Sequence, residues 1–361
     1  MPYFFLKISK KVHTRRLDTV MRRGWYIQDM VGCCSLLLAL SLLFPSPVRA
    51  QNSQAFDALL SRKTRLLVFS PHPDDETLGA GGLIQRVLQS GGKVKVVFMT
   101  SGDGYPEGVE MEDRIAHPTA QDYREYGTLR QKEALQVLAP LGVKKKDVVF
   151  LGFPDGGLYS ILSKYQSDDG PDYTSPFTLE NHPPVADAIL PDIEYNGEDL
   201  KREVVRVLTD FRPTLIVTVN RRDQHPDHRS TYFFVRQALN ELEARAPSFR
   251  PPLFTFLIHF GQWPMGEDAG FGSRLSPPQG FSEKADNWIS FPLSPAEIEA
   301  KRRALLLYHS QILVMGRYLL SFARANELFL PDQKKVGNEL TEVPTMEDKS
   351  RGRAVRDGPY Q

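Results

Sequence analysis

LLVFSPHPDDETLGAGGLIQRVL, residues 66–88, carries the reading of the fold in three segments. LLVFS (66–70) is a short continuous apolar run, the pattern of a strand buried on both faces of a parallel sheet. TLGAGGLIQRVLQSGG (77–92) sets Leu78, Ile84, Val87 and Leu88 at helical spacing and ends in glycines, which stop a helix. Between the two lies PHPDDE (71–76), a dense group of imidazole and carboxylates where a buried strand turns into a helix.

The alternation continues outward. KVKVVFMT (93–100), DVVFLGF (147–153), TLIVTVN (214–220) and LFTFLIHF (253–260) read as further strands, with helices over 121–140, 198–210 and 229–245. This order predicts an α/β fold, Rossmann-like, with three layers α/β/α around a mostly parallel sheet. Residues 294–329 read as one long helix capped by Ser294, with Pro295 in its first turn. Residues 159–195 and 261–294 lack periodicity. Loops of that length inside a compact domain are functional or disordered. The first follows a Pro-Asp-Gly-Gly turn at a strand end and is expected to wall the substrate pocket and set its specificity.

The amino-terminal segment has a different character. Residues 1–50 hold eight basic groups against Asp18 and Asp29, leaving 37 basic and 42 acidic residues beyond, a net of −5. That balance excludes the basic face a nucleic-acid partner needs. Val31–Phe44 is a 14-residue apolar run followed by Pro45, Ser46 and Pro47, and Val48 and Ala50 suit positions −3 and −1 of a signal-peptidase site. The run is shorter than the roughly 20 residues of a spanning helix. The expectation is an exported protein, periplasmic or extracellular, cleaved after Ala50, with no stable membrane span afterwards; an uncleaved anchor is the alternative. The expected organisation is a signal peptide over 1–50, a linker over 51–63, one catalytic domain over 64–330 and a disordered tail over 331–361. The chain's two cysteines, Cys33 and Cys34, both precede residue 50, so a metal in the mature chain must be held by His and carboxylate.

The strand at 214–220 ends in a second such cluster, His225-Pro226-Asp227-His228, again followed by a helix. In open α/β sheets, sites form at the carboxyl ends of strands. Two His/Asp clusters at equivalent ends of two buried strands would meet above one sheet edge. Imidazole and carboxylate suit Zn²⁺, three protein ligands leave a fourth position for water, and a coordinated water has a pKa near ~7. Five groups exceed what one zinc requires, so the surplus is available for proton transfer. Spacing alone leaves open which group has which task. The plain alternative is a solvated helix-start loop with Asp74 and Asp75 as caps.

FSPHPDDETLGAGG (69–82) resembles the signature of the LmbE-like, or PIG-L-type, de-N-acetylases, and HPDH (225–228) resembles their second motif. TSGDG (100–104), LRQKEAL (129–135), FLGFPDGGL (150–158) and KRRALLLYHSQ (301–311) are similar to further family segments in the family's order. The resemblance implies hydrolysis of an N-acetyl amide on an N-acetylglucosamine-type sugar or glycoconjugate, with one Zn²⁺ or another divalent metal per chain. It implies His72, Asp75 and His228 as metal ligands and Asp74 as general base. His225 would be the acid toward the leaving amine or steady the oxyanion, and Asp227 would orient His225. Arg130 and Asp155 would contact the sugar. In some members a tyrosine stands two residues before the first His of HPDH; here that position is Asp223. His259 and His309 fall in motif-like segments, and each is expected as a core or capping histidine. GAGG (79–82) does not have the spacing of a dinucleotide-binding turn. The rival readings are another amidase on the same site, acting on a thiol conjugate or an acylated lipid, and a non-catalytic carbohydrate-binding protein.

Overall fold

The computed structural model describes residues 56–265, 271–281 and 287–332. The expected signal peptide and the tail beyond residue 332 lie outside them. In chain order the elements are β1 (Arg65–Ser70), α1 (Asp75–Gln89), β2 (Lys93–Thr100), α2 (Pro106–Asp113), α3 (Ala120–Leu138), β3 (Val148–Phe153), α4 (Leu158–Ser163) and α5 (Gly197–Phe211). There follow β4 (Leu215–Val219), α6 (Pro226–Arg245), β5 (Leu253–Phe256), β6 (Ile289–Pro292), α7 (Pro295–Leu305), α8 (His309–Leu320) and β7 (Asn326–Pro331).

The strands form one sheet in the order β3-β2-β1-β4-β5-β7-β6. The first five run parallel, and β7 and β6 are added antiparallel at one end. Alternate residues face opposite layers. Leu66, Val68, Val96, Phe98 and Val217 pack with residues of α1, α3, α7 and α8 on one side. Leu67, Phe69, Val97, Met99 and Ile216 pack with α4, α5 and α6 on the other. Both faces are covered, which is why these strands read as unbroken apolar runs. The expected three-layer α/β/α fold is thus present. The chain leaves β1 in one direction and returns to β4 on its other side, so the β1–β4 junction is the switch point where such folds bind ligands.

The GAGG segment serves packing. A Cβ on Gly79 would lie 2.1 Å from the Phe256 ring, and one on Gly82 would lie 2.3 Å from Leu293. Only bare backbone lets α1 approach β5 and the β6–α7 turn this closely. Buried Lys301 and Glu327 bracket the same helix: Lys301 Nζ donates to Leu78 O (2.8 Å) and to Glu327 (2.7 Å), which accepts from the N–H groups of Gly82 and Leu83.

Four expectations are corrected. Residues 294–329 form two helices and a strand, because the chain turns at Tyr308, whose hydroxyl donates to buried Glu76 (2.6 Å), and restarts where Ser310 donates to buried Glu133. The strand expected over 253–260 stops at Phe256, because the N–H groups of Ile258 and His259 turn to Asp223 Oδ2 (2.9 and 3.0 Å). The linker expected over 51–63 contains Phe56, a core residue in ring contact with Phe254, Phe291 and Phe329. The segment 159–195 covers the β3 edge: Tyr195 donates to Gly152 O (3.0 Å) and Asp187 accepts from Gln131 (2.7 Å). Covering an exposed strand edge is a structural task. No helix of the described residues is long and apolar enough to cross a membrane.

Gly79→Ala should destabilise the protein by about 1–3 kcal/mol through overpacking. A denaturant titration checks this: the midpoint should fall with the slope unchanged.

Candidate metal and active site

The loops after β1 and β4 meet at the switch point, and their polar residues are buried. Asp74 occupies the position before α1 with φ 128°, and its side chain makes no cap hydrogen bond. That conformation costs on the order of 1–3 kcal/mol for a residue with a side chain. The strained turn separates two adjacent carboxylates. Asp75 faces the imidazoles, whereas Asp74 faces Arg130, whose Nη2 lies 3.3 Å from Asp74 Oδ2. The capping alternative for this loop therefore fails.

His72 Nδ1, Asp75 Oδ2 and His228 Nε2 form a triangle. Its sides are 3.2 Å from His72 to Asp75, 3.1 Å from Asp75 to His228 and 3.3 Å from His228 to His72. Zinc bonds of about 2.0–2.1 Å at tetrahedral angles set their donor atoms roughly 3.3–3.4 Å apart. The three expected ligands thus fit a small divalent cation in both chemistry and spacing. Each imidazole is backed by carboxylate, as metal-binding histidines are. His72 Nε2 lies 3.0 Å from Asp155 Oδ1 and 3.4 Å from Asp227 Oδ2. His228 Nδ1 lies 3.3 Å from Asp223 Oδ2, an ion-pair separation without hydrogen-bond alignment.

The electrostatics agree with this fit. Burial works against charge on His72, but Asp155, Asp227 and Asp75 outweigh it and raise its pKa well above the ordinary value. Burial likewise opposes charge on His228, yet Asp75 and Asp223 bring it to about 9. Burial opposes ionisation of Asp75 and Asp223 too, but His228 holds Asp75 well below its ordinary value and Asp223 at about 2. Protons on the two imidazoles supply the positive charge that a divalent cation would supply on displacing them. Asp74 goes the other way. Burial, aided by Asp75 and opposed by Arg130, pushes its carboxyl well up. Burial pushes His225 well below its ordinary pKa, and the charges of His72 and His228 add to the effect.

A cavity of about 510 Å³ opens over the triangle, within the range of small-molecule sites. Its polar floor comes from His72, Asp74, Asp75, Arg130, Asp155 and His225, and its apolar wall from Leu78, Ile258, Val314 and Met315. The floor is encoded before residue 226 and most of the wall after residue 257.

Several sequence-stated roles are relocated. All eight expected site residues converge here. Arg130 is buried and donates to Gly102 O (3.0 Å) and Pro73 O (2.7 Å), so it positions the Asp74 turn as well as lining the cavity. Asp155 lines the cavity and also backs His72. The Asp227 carboxylate does not act on His225. It accepts from the N–H groups of Gly156 (2.7 Å) and Leu158 (3.1 Å) and approaches His72, while its own N–H donates to His225 Nδ1 (3.2 Å). The segment 159–195 does not line the cavity; α8 and residues 104–107 do. His259, expected as a core or capping residue, lies on the cavity with its ring 4.8 Å from that of His228. Asp223 is buried and holds residues 258 and 259. The signals for these roles were slight: Asp223 stands where some family members have tyrosine, and His259 falls in a motif-like segment. His309 is exposed at the start of α8.

Fold and site together define an α/β protein with buried His and Asp side chains at the sheet's switch point that could hold a metal ion. The sequence model of the PIG-L family, GlcNAc-PI de-N-acetylase, matches residues 67–239. A 1D-myo-inositol 2-acetamido-2-deoxy-alpha-D-glucopyranoside deacetylase of Rhodococcus opacus (strain B4) is 31% identical over 269 residues, 69% of this chain and 82% of that protein. One of the same name from Mycobacterium sp. (strain KMS) is 29% identical over 191 residues, 51% of this chain and 53% of the relative. The chain thus spans about half the length of that mycobacterial relative. A solved deacetylase of the teicoplanin biosynthetic pathway has a TM-score of 0.47 at 18% identity, covering 74% of this chain and 97% of that one. The chain belongs to the PIG-L family.

The triangle predicts that His228→Ala loses most of the divalent metal carried by the wild type. Metal analysis of the purified proteins checks this; full occupancy in the variant rules out His228 as a ligand.

Proposed function

We propose that this protein is a metal-dependent amidohydrolase that removes the acetyl group from an N-acetylglucosamine-type sugar or glycoconjugate. The observation that carries the reading is the triangle of His72, Asp75 and His228 with Asp74 beside it but bonded elsewhere. Three donors and a separately held carboxylate are what amide hydrolysis needs and what a plain sugar-binding site does not. The names of the relatives support an N-acetylated amino sugar as the substrate class.

His72, Asp75 and His228 would hold a divalent cation, zinc being the best match to the donor set, which would supply Lewis acidity and lower the pKa of a bound water to near ~7. The remaining chemistry belongs to the chain. Asp74 accepts a proton from the attacking water; burial pushes its carboxyl up, against the pull of Arg130, and so makes the carboxylate more basic. Oxygen adds to the acetyl carbonyl carbon and the carbon–nitrogen bond breaks. His225 accepts at Nδ1 from the Asp227 N–H, so its proton resides on Nε2, where it can hydrogen-bond the departing nitrogen; the proton that the nitrogen takes up is the one Asp74 removed from the water, which leaves both side chains as they began. Arg130 and Asp155 lie on the cavity where they can meet sugar hydroxyls. The products are acetate and a free amino sugar.

The test is acetate release by the zinc-loaded protein from free, lipid-linked and polymeric N-acetylglucosamine. Asp74→Asn should retain metal and lose turnover by roughly 10²–10⁴-fold, the usual contribution of general acid–base catalysis. Asp75→Asn should instead lose metal, and added metal should restore part of its activity. If Asp74→Asn loses metal while Asp75→Asn keeps it, the two roles are reversed.

We also propose that the chain is exported and cleaved after Ala50, on the pattern of residues 1–50. Sequencing of the secreted protein should begin at Gln51. An intact amino terminus recovered with the membrane favours the anchor.

A further inference from the structure

We infer that His259 donates a hydrogen bond to the carbonyl oxygen of the scissile amide as that oxygen gains charge; this rests on the amidohydrolase reading above. The reaction leaves one requirement unassigned. When water adds to the carbonyl carbon, negative charge develops on the carbonyl oxygen, and fixed donors aimed at that charge are commonly the largest single contribution to catalysis.

Several of the cavity's other donors already have partners. The Tyr318 hydroxyl donates to Ile258 O (2.7 Å). Gln311 Nε2 donates to the Tyr126 hydroxyl (2.8 Å). The Arg130 guanidinium serves Gly102 O, Pro73 O and Asp74. Asp223 is turned inward: Oδ1 accepts from His225 N–H (3.0 Å), and Oδ2 accepts from the N–H groups of Ile258 and His259. His225 is occupied with the nitrogen. His259 remains.

Its position suits the task. Along the carboxyl edge of the sheet, Asp74 is drawn toward the β2 end by Arg130 and Gly102, whereas His259 follows β5 on the far side of β4. The base and the oxyanion donor thus flank the triangle from opposite sides, as they must flank a carbonyl. A ring nitrogen of His259 lies within 4.8 Å of the Asp75 and His228 donor atoms, so it borders the same place where a cation could sit. The ring is also fixed before substrate arrives. It stacks on Tyr318 (5.7 Å, 12°), and its carbonyl accepts from Gln224 N–H (3.0 Å); the Tyr318 hydroxyl, already donating to Ile258 O, is 3.4 Å from Nδ1, too long to hold the ring proton there, so Nε2 is free to carry it. A donor held in place needs no reorganisation as the charge develops.

The experiment compares wild type, His259→Ala and His259→Gln, the last retaining an N–H donor of similar reach. Acetate release, metal content and affinity for a tetrahedral phosphonamidate analogue of the N-acetyl group are measured on each. For His259→Ala, kcat should fall by about 10²–10³-fold, as when one oxyanion donor is removed, and affinity for the analogue should fall with it. KM and metal content should stay near wild type, and His259→Gln should recover part of the loss. Unchanged kcat in a folded His259→Ala overturns the inference and leaves the amidohydrolase reading standing. Loss of metal makes His259 a ligand, and a rise in KM alone makes it a ground-state contact; either overturns the inference. If His259→Ala does not fold, His259→Gln decides, wild-type metal and activity supporting the inference and loss of metal opposing it. Absence of acetate release by the wild type on the whole panel overturns the amidohydrolase reading, and the inference with it.

Discussion

The structure depends on the mutual attraction of buried opposite charges at one strand junction. Asp75 lies within 3.2 Å of both His72 and His228, and each imidazole has a carboxylate behind it. Such charges are costly to bury singly. Here each is compensated by the next, from Asp155 and Asp227 through His72 to Asp75, and onward through His228 to Asp223. The chain of pairs crosses the β1–β4 junction and ties the two halves of the sheet together. It also fixes the imidazole rings, since each has a ring nitrogen turned to carboxylate and another turned to the triangle.

A second ordering principle is strain at Asp74. Adjacent residues at a strand-to-helix turn would ordinarily compete for one environment. The positive φ resolves this by swinging Asp74 toward Arg130 and away from the triangle. The helix that follows is held on several sides, by the Phe256 ring against Gly79, by Leu293 against Gly82 and by the Lys301–Glu327 pair. Removing either member of that pair would leave the other charge buried without its partner.

The parts of the site written in contiguous motifs were legible in the sequence. HPDDE and HPDH announced themselves because a buried apolar run followed by His and carboxylate has few other uses, and strand order then brought them together. Elements that depend on long-range contacts were not legible. Asp223 reads as an ordinary loop residue until the chain after β5 folds onto it. His259 lies in an apolar strand pattern and reaches the cavity only because Asp223 ends that strand early. The helix break at Tyr308 rests on Glu76 and Glu133, both distant in sequence. The polar segment 159–195 reads as a specificity loop, but β3 is an edge strand and needs a cover. Asp227 illustrates the limit of carrying a role over by position: its identity and burial fit, whereas its hydrogen bonds lead to residues 156–158 and His72.

The cavity is assembled from two successive portions of the polypeptide with different tasks. The acidic and imidazole floor is complete once α6 begins, while Ile258, His259 and the α8 face arrive with the carboxyl-terminal third. The boundary falls in the connection between α6 and β5, on the surface and clear of the buried charge chain. The triangle and most of the cavity wall are therefore separable inheritances within one domain. A lineage could exchange the later portion, and with it the shape of the cavity wall, without replacing a residue of the triangle. A chimera joined between Ala246 and Pro252 would be the laboratory counterpart of that history.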